Sequence, residues 1–145
     1  MRAWLLAAVT AGLLILAFPG ADLHWLAPLA LAPLLVAAAA QADPLRRFQL
    51  GWGAGIVYWF GVCYWIQFVL AVHGGVGQAA AWAMFLAFCL IKGLHLGVYA
   101  LLLTVLANLY VIYIEEPGLE KRFGEDYRAY RAATPRWLPF RRSKA

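Results

Sequence analysis

The sequence predicts an all-α integral membrane protein with four transmembrane helices, followed by a short amphipathic helix on the cytoplasmic side. Three observations predict it. Of 145 residues, 65% are hydrophobic and only 13% charged, with a mean hydropathy of +0.73; an ordinary soluble domain is about 45–50% apolar and about 25% charged. This excludes a soluble domain, and it excludes a disordered chain, which needs low hydrophobicity and high charge. The charges are also segregated. Residues 1–107 carry only Arg2, Asp22, Asp43, Arg46, Arg47 and Lys92, whereas residues 108–145 carry eight basic and five acidic groups. Finally, four apolar runs alternate with short polar or glycine-rich breaks, and the breaks that carry Lys or Arg all fall on one side if the chain crosses four times.

The first helix is expected over about residues 3–18, after Met1-Arg2. A basic start before an apolar run also suits a secretory signal, but no small-x-small cleavage site follows before Pro19-Gly20, and apolar sequence resumes at Leu23. Pro19-Gly20-Ala21-Asp22 reads as a tight turn. The second helix is expected over about 23–41 with Pro28 and Pro33 inside it, a placement tolerated in bilayers when neighbours satisfy the freed carbonyls. Gln41 to Gln49 is a polar break carrying Arg46-Arg47. The third helix, about 50–72, has no formal charge and is long enough to cross about 30 Å of hydrocarbon. His73-Gly-Gly-Val-Gly77 is a turn. The fourth helix, about 78–107, extends apolar toward 114; the whole run would reach about 55 Å, with Asn108 as the expected exit from the bilayer.

Beyond it, Leu119, Phe123, Tyr127 and Tyr130 recur at helical spacing over about 117–133. Lys121–Glu125 and Arg122–Asp126 stand at i,i+4 on other faces, and Pro117 and Pro135 suit the start and stop. Trp137, Phe140, Arg141 and Arg142 form an expected interfacial anchor. By the positive-inside rule both termini are cytoplasmic. The net charge of +5 suits an anionic bilayer, the expected partner. Nucleic acid is not expected, because no basic stripe interleaved with aromatics spans a domain.

Lys92 is the most informative residue. A charge within an apolar helix costs roughly 2.5–3.5 kcal/mol on insertion scales, so it must face protein, water or an interface. His95 lies on nearly the same face. One reading is a polar site, Lys92 with His95, for a lipid headgroup. The other is a lysine that snorkels to the headgroups. Trp52, Trp59 and Ile66 repeat every seven residues, either as a packing stripe or as the wall of an acyl groove. Glu115 and Glu116 are the one carboxylate pair at the cytoplasmic exit. No metal site and no catalytic set can be assigned: Cys63 and Cys89 lie in apolar runs, and His24 and His73 lie beside outer turns.

Two resemblances divide the chain near residue 107. Leu16-Ala-Phe-Pro-Gly, Leu23-His-Trp-Leu-Ala-Pro-Leu-Ala-Leu-Ala-Pro-Leu-Leu, Gly51-x-Gly-x-Gly, Trp59-Phe-Gly-Val-Cys-Tyr-Trp-Ile and His73-Gly-Gly resemble, in order and spacing, the N-terminal membrane region of bacterial apolipoprotein N-acyltransferase. That resemblance implies an inner-membrane protein of lipoprotein biosynthesis. The family transfers an acyl chain from phospholipid to the N-terminal cysteine of a lipoprotein, using a Glu-Lys-Cys triad in a nitrilase-like domain. Residues 1–107 are therefore expected to be a membrane module lacking that domain, with a separate catalytic chain as a candidate partner.

Residues 108–145 are different. Tyr113-Ile-Glu-Glu-Pro-Gly-Leu, Arg122-Phe-Gly-Glu-Asp-Tyr-Arg-Ala-Tyr and Thr134-Pro-Arg-Trp-Leu-Pro are similar to the C-terminal signature of the isoprenylcysteine carboxyl methyltransferase family. This implies the alternative, a small S-adenosylmethionine-dependent membrane methyltransferase with Glu115 and Glu116 as cofactor-side carboxylates. The family's Arg-(His or Asn)-Pro-x-Tyr element has no counterpart here, so no cofactor is expected under the first reading and an incomplete motif under the second.

Overall fold

The computed structural model describes residues 1–18, 20 and 23–134. It is all-helical, with no strand among the described residues. The elements are α1 (Arg2–Leu16), a 3-10 turn (His24–Leu26), α2 (Ala27–Ala30), α3 (Ala32–Ala39), α4 (Pro44–Cys63), α5 (Trp65–Val72), α6 (Gln78–Tyr110), a π turn (Val111–Glu115) and α7 (Glu116–Ala133). Among the described residues, the apolar helix starting at Gln78 is the one long and apolar enough to cross a membrane; α4 and α5 together would make a second span, bent by 56°. The chain divides into two compact units, Met1–Leu102 and Leu103–Ala145.

Within the first unit, three departures from the expected helices have physical causes. The second apolar run is not one helix. Pro28 and Pro33 cannot donate to the preceding turn, and the run breaks into a 3-10 turn, α2 and α3. The N–H of Leu34, one of the orphan donors at the start of α3, is satisfied by the buried Thr10 Oγ1 of α1 at 2.9 Å. The third helix starts at Pro44 rather than near residue 50. Asp43 accepts from the Leu45 N–H at 3.0 Å and proline occupies the first turn, a combination that nucleates helices. Arg47 therefore lies on α4, and its Nε donates to the Gln41 carbonyl at 2.9 Å. The same run then bends at Tyr64 into α5, none of whose residues is buried. Gln78 Nε2 of α6 donates to Gln67 Oε1 of α5 at 2.9 Å, tying the two across the glycine turn.

The core of this unit is a seam between α4 and α6. Gly51 and Gly55 of α4 face Gly93 and Gly97 of α6 so closely that a Cβ on Gly55 would lie 2.8 Å from the Gly93 Cα, and one on Gly51 would lie 2.5 Å from the Leu96 carbonyl oxygen. Small residues let helices approach at this range. Two apolar clusters flank the seam. Ala7, Leu34, Ala37, Leu50, Ala54 and Ala100 form one. Val62, Cys63, Phe85 and Cys89 form the other, which fits the packing role expected of the two thiols.

Within the second unit, the helix is not interrupted at Asn108. It continues, with Asn108 Nδ2 donating to the Thr104 carbonyl at 2.7 Å, then passes through the π turn into α7. The expected amphipathic helix is present over Glu116–Ala133, but it is a hairpin rather than a rod. Gly124 stands at φ +54°, ψ −125°, a left-handed region that favours glycine. Arg131 Nη1 reaches Glu116 Oε2 at 3.3 Å; fifteen residues of straight helix would separate them by about 22 Å. This corner replaces the expected i,i+4 pairs Lys121–Glu125 and Arg122–Asp126, which straddle it. Arg128 instead binds Glu120 and Glu125, at 2.6 Å each. The expected apolar face is split as well: Leu119 and Tyr127 are half-buried, whereas Phe123 and Tyr130 are exposed. Asp22 and the expected anchor of Trp137, Phe140, Arg141 and Arg142 lie outside the described residues.

Candidate functional site

The first unit brings Lys92 and His95 of α6 together with aromatic side chains of α4. The Lys92 ammonium lies 4.8 Å from the ring centroid of Trp59, a distance at which the ring quadrupole attracts a cation. Trp59 is fixed by Phe88 in an edge-to-face contact at 5.8 Å and by Tyr58 at 5.2 Å. The wall is completed two turns back on α4. Trp52 Nε1 donates to the Leu90 carbonyl at 2.9 Å, so the Trp52 and Trp59 stripe packs on α6.

His95 does not touch the Lys92 side chain. Its Nδ1 lies 3.2 Å from the Lys92 carbonyl oxygen; a carbonyl only accepts, so the contact is a bond when Nδ1 carries the proton. That leaves Nε2 available as an acceptor. His95 also lines a cavity of about 350 Å³ with Leu14, Leu31, Tyr58, Trp59, Leu96 and Tyr99. The volume lies within the range of small-molecule sites, which are mostly apolar with a few polar groups. Here the polar groups are the hydroxyls of Tyr58 and Tyr99, the indole of Trp59 and the imidazole of His95. Sequence spacing pointed to Lys92, His95 and Trp59, but not to Leu14, Leu31 or Tyr99, whose approach depends on tertiary packing.

Glu115 is exposed at the end of the π turn of the second unit. Glu116 is 7% exposed and paired with Arg131. Glu120 is held below the ordinary carboxylate value, first by its hydrogen bond from Arg128 and then by the guanidinium charge. His73 sits edge-on to Phe68 at 6.2 Å in the glycine turn after α5. Among the described residues, no three His, Cys, Asp or Glu side chains are grouped to hold a metal ion.

Comparison with known proteins bears on what this arrangement belongs to. Residues 10–120 match the family described as the apolipoprotein N-acyltransferase N-terminal domain. An apolipoprotein N-acyltransferase from Geobacter metallireducens is 38% identical over 73 residues, which is 50% of this chain and 14% of that protein. The chain thus spans a small part of the length of the curated relative it matches. No solved structure matches it. A family match across residues 10–120 takes in the second half of α1, the α4–α6 seam and the Lys92–Trp59 contact together, and on that match the chain belongs to the apolipoprotein N-acyltransferase N-terminal domain family.

Proposed function

We propose that this chain is a membrane module of lipoprotein N-acylation, with residues 1–107 binding phospholipid at the Lys92–His95 site and residues 108–145 forming a cytoplasmic tail. In this reading the four apolar segments cross the bacterial inner membrane and both termini are cytoplasmic. In the resembled family, acyl transfer itself is carried out by a nitrilase-like catalytic domain. No metal or cofactor enters this reading.

The observation that carries it is the Lys92 ammonium poised on Trp59 beside a cavity of about 350 Å³. The ammonium is a donor for a lipid phosphate, the tyrosine hydroxyls are donors for ester carbonyls, and the apolar wall of Leu14, Leu31 and Leu96 suits the upper part of an acyl chain. The geometry favours this over methyl transfer from S-adenosylmethionine. That reading needs the Glu115-Glu116 pair open to a cofactor, and the Glu116 carboxylate is buried against Arg131.

The test is lipid retention by the detergent-purified chain, titrated with short-chain phosphatidylglycerol and read by native mass spectrometry. Lys92→Leu is expected to weaken binding at least tenfold without lowering the melting temperature. Unchanged binding by Lys92→Leu would remove the site.

A further inference from the structure

The α7 hairpin of the second unit presents a tip that the site above does not use. Its residues are Lys121, Arg122, Phe123 and Gly124, at the corner where the backbone turns left-handed. Phe123 is 56% exposed. Lys121 and Arg122 are exposed, and neither takes part in an ion pair among the described residues. The other two cations of α7 are occupied: Arg128 by Glu120 and Glu125, and Arg131 by Glu116. Those pairs also neutralise three carboxylates, leaving Asp126 as the acidic side chain near the tip outside these ion pairs. The tip therefore displays two cations and an aromatic ring against one carboxylate.

The same unit says what such a tip meets. Leu106, Leu109, Tyr110, Tyr113 and Ile114 are 44–73% exposed along the end of α6 and the π turn. They form an apolar, tyrosine-bearing run that leads directly into α7. Side chains of that kind need hydrocarbon, and tyrosines mark the level where hydrocarbon gives way to headgroups. A bilayer surface is thus adjacent to the hairpin in sequence, and its anionic lipids complement the charge of the tip.

We propose that Lys121, Arg122 and Phe123 form a docking tip for an anionic lipid surface, with the ring at headgroup depth and the two cations on lipid phosphates. This rests on α6 as a membrane helix and not on the Lys92 site. A cation near an anionic leaflet contributes about 1 kcal/mol, or about fivefold; two shift the docked fraction by about 30-fold.

The test uses the full chain in nanodiscs of phosphatidylcholine, with and without phosphatidylglycerol. Trypsin cuts after Lys121 and Arg122, and its cutting after Arg131 in the same molecule corrects for the attraction of the protease to the surface. Cleavage at the tip relative to Arg131 is expected to fall at least tenfold when phosphatidylglycerol is present. The protection is expected to vanish in Phe123→Asp, and at about 1 M salt, where charges are screened beyond about 3 Å. Equal ratios in the two lipid compositions would overturn the proposal. So would protection that persists in phosphatidylcholine alone, because the tip would then be covered by protein. Lipid retention at Lys92 is measured separately, so either reading can fail alone.

Discussion

Replacing Gly55 by alanine tests whether the α4–α6 seam organises the first unit. A Cβ at this position would stand 2.8 Å from both the Cα and the carbonyl oxygen of Gly93, and 3.1 Å from the Leu96 Cβ. Carbon atoms pack at about 3.5–4.0 Å, so the helices must part by roughly 0.7 Å, and the obstructing atoms are backbone that no rotamer change can move. Overpacking of this kind costs about 1–3 kcal/mol. Alanine carries an opposing gain of about 0.8–1.0 kcal/mol from helix propensity. The control is Gly12→Ala on α1, where a Cβ meets nothing within 4 Å, so only the propensity gain remains. Thermal unfolding in one detergent, followed by the exposure of Cys63 and Cys89 to a thiol dye, should place Gly55→Ala below wild type and Gly12→Ala at or above it. If the two variants melt together, the close approach of α4 and α6 is not what holds this unit.

Two further outcomes follow from single contacts. Thr10→Val keeps the shape of the side chain and removes the acceptor for the Leu34 N–H; a buried unsatisfied donor costs about 1–3 kcal/mol, so the variant should melt lower while Thr10→Ser stays near wild type. The α7 hairpin should loosen in acid. Glu120 has its carboxyl lowered in the folded hairpin from an ordinary value of 4.5, so its contribution is fully present above pH 4.5 and lost as pH falls through the lowered value. Tryptic cutting after Arg128 cannot be read at such pH, so the measurement is pepsin cleavage at Tyr127, whose ratio of wild type to Glu120→Gln should rise as pH falls below 4.5.

Much of the architecture was legible because apolar runs and their breaks are local signals. Asp43-Pro44 is a start signal, and α4 does begin there; reading the whole polar stretch from Gln41 to Gln49 as a loop overlooked it. The bend at Tyr64 left no local mark, since neither proline nor glycine stands at the break. Gly124 did leave one. A glycine in the middle of a short amphipathic helix is a candidate corner, but the regular recurrence of Leu119, Phe123, Tyr127 and Tyr130 concealed it. The contact of Thr10 with Leu34 was out of reach, because it joins residues 24 apart that no periodicity links.

The candidate site was half legible for a reason that also bears on what it does. Lys92 stood out because its charge is costly at depth, by roughly 2.5–3.5 kcal/mol. The structure supplies part of the offset through Trp59: a cation over an indole face contributes from about 0.5–1 kcal/mol when exposed to about 2 or more when desolvated. Even at the upper figure the ring leaves on the order of 1 kcal/mol uncompensated. Water or an anion must make up that difference. The Lys92 ammonium is half-buried and rests on an aromatic ring, and the Lys92→Leu comparison separates a lipid-holding lysine from one that snorkels to the headgroups. Under the proposed function, a phosphate-bearing lipid would supply that counter-charge, with its apolar body against the cavity that Trp59 shares with Tyr58, His95 and Tyr99.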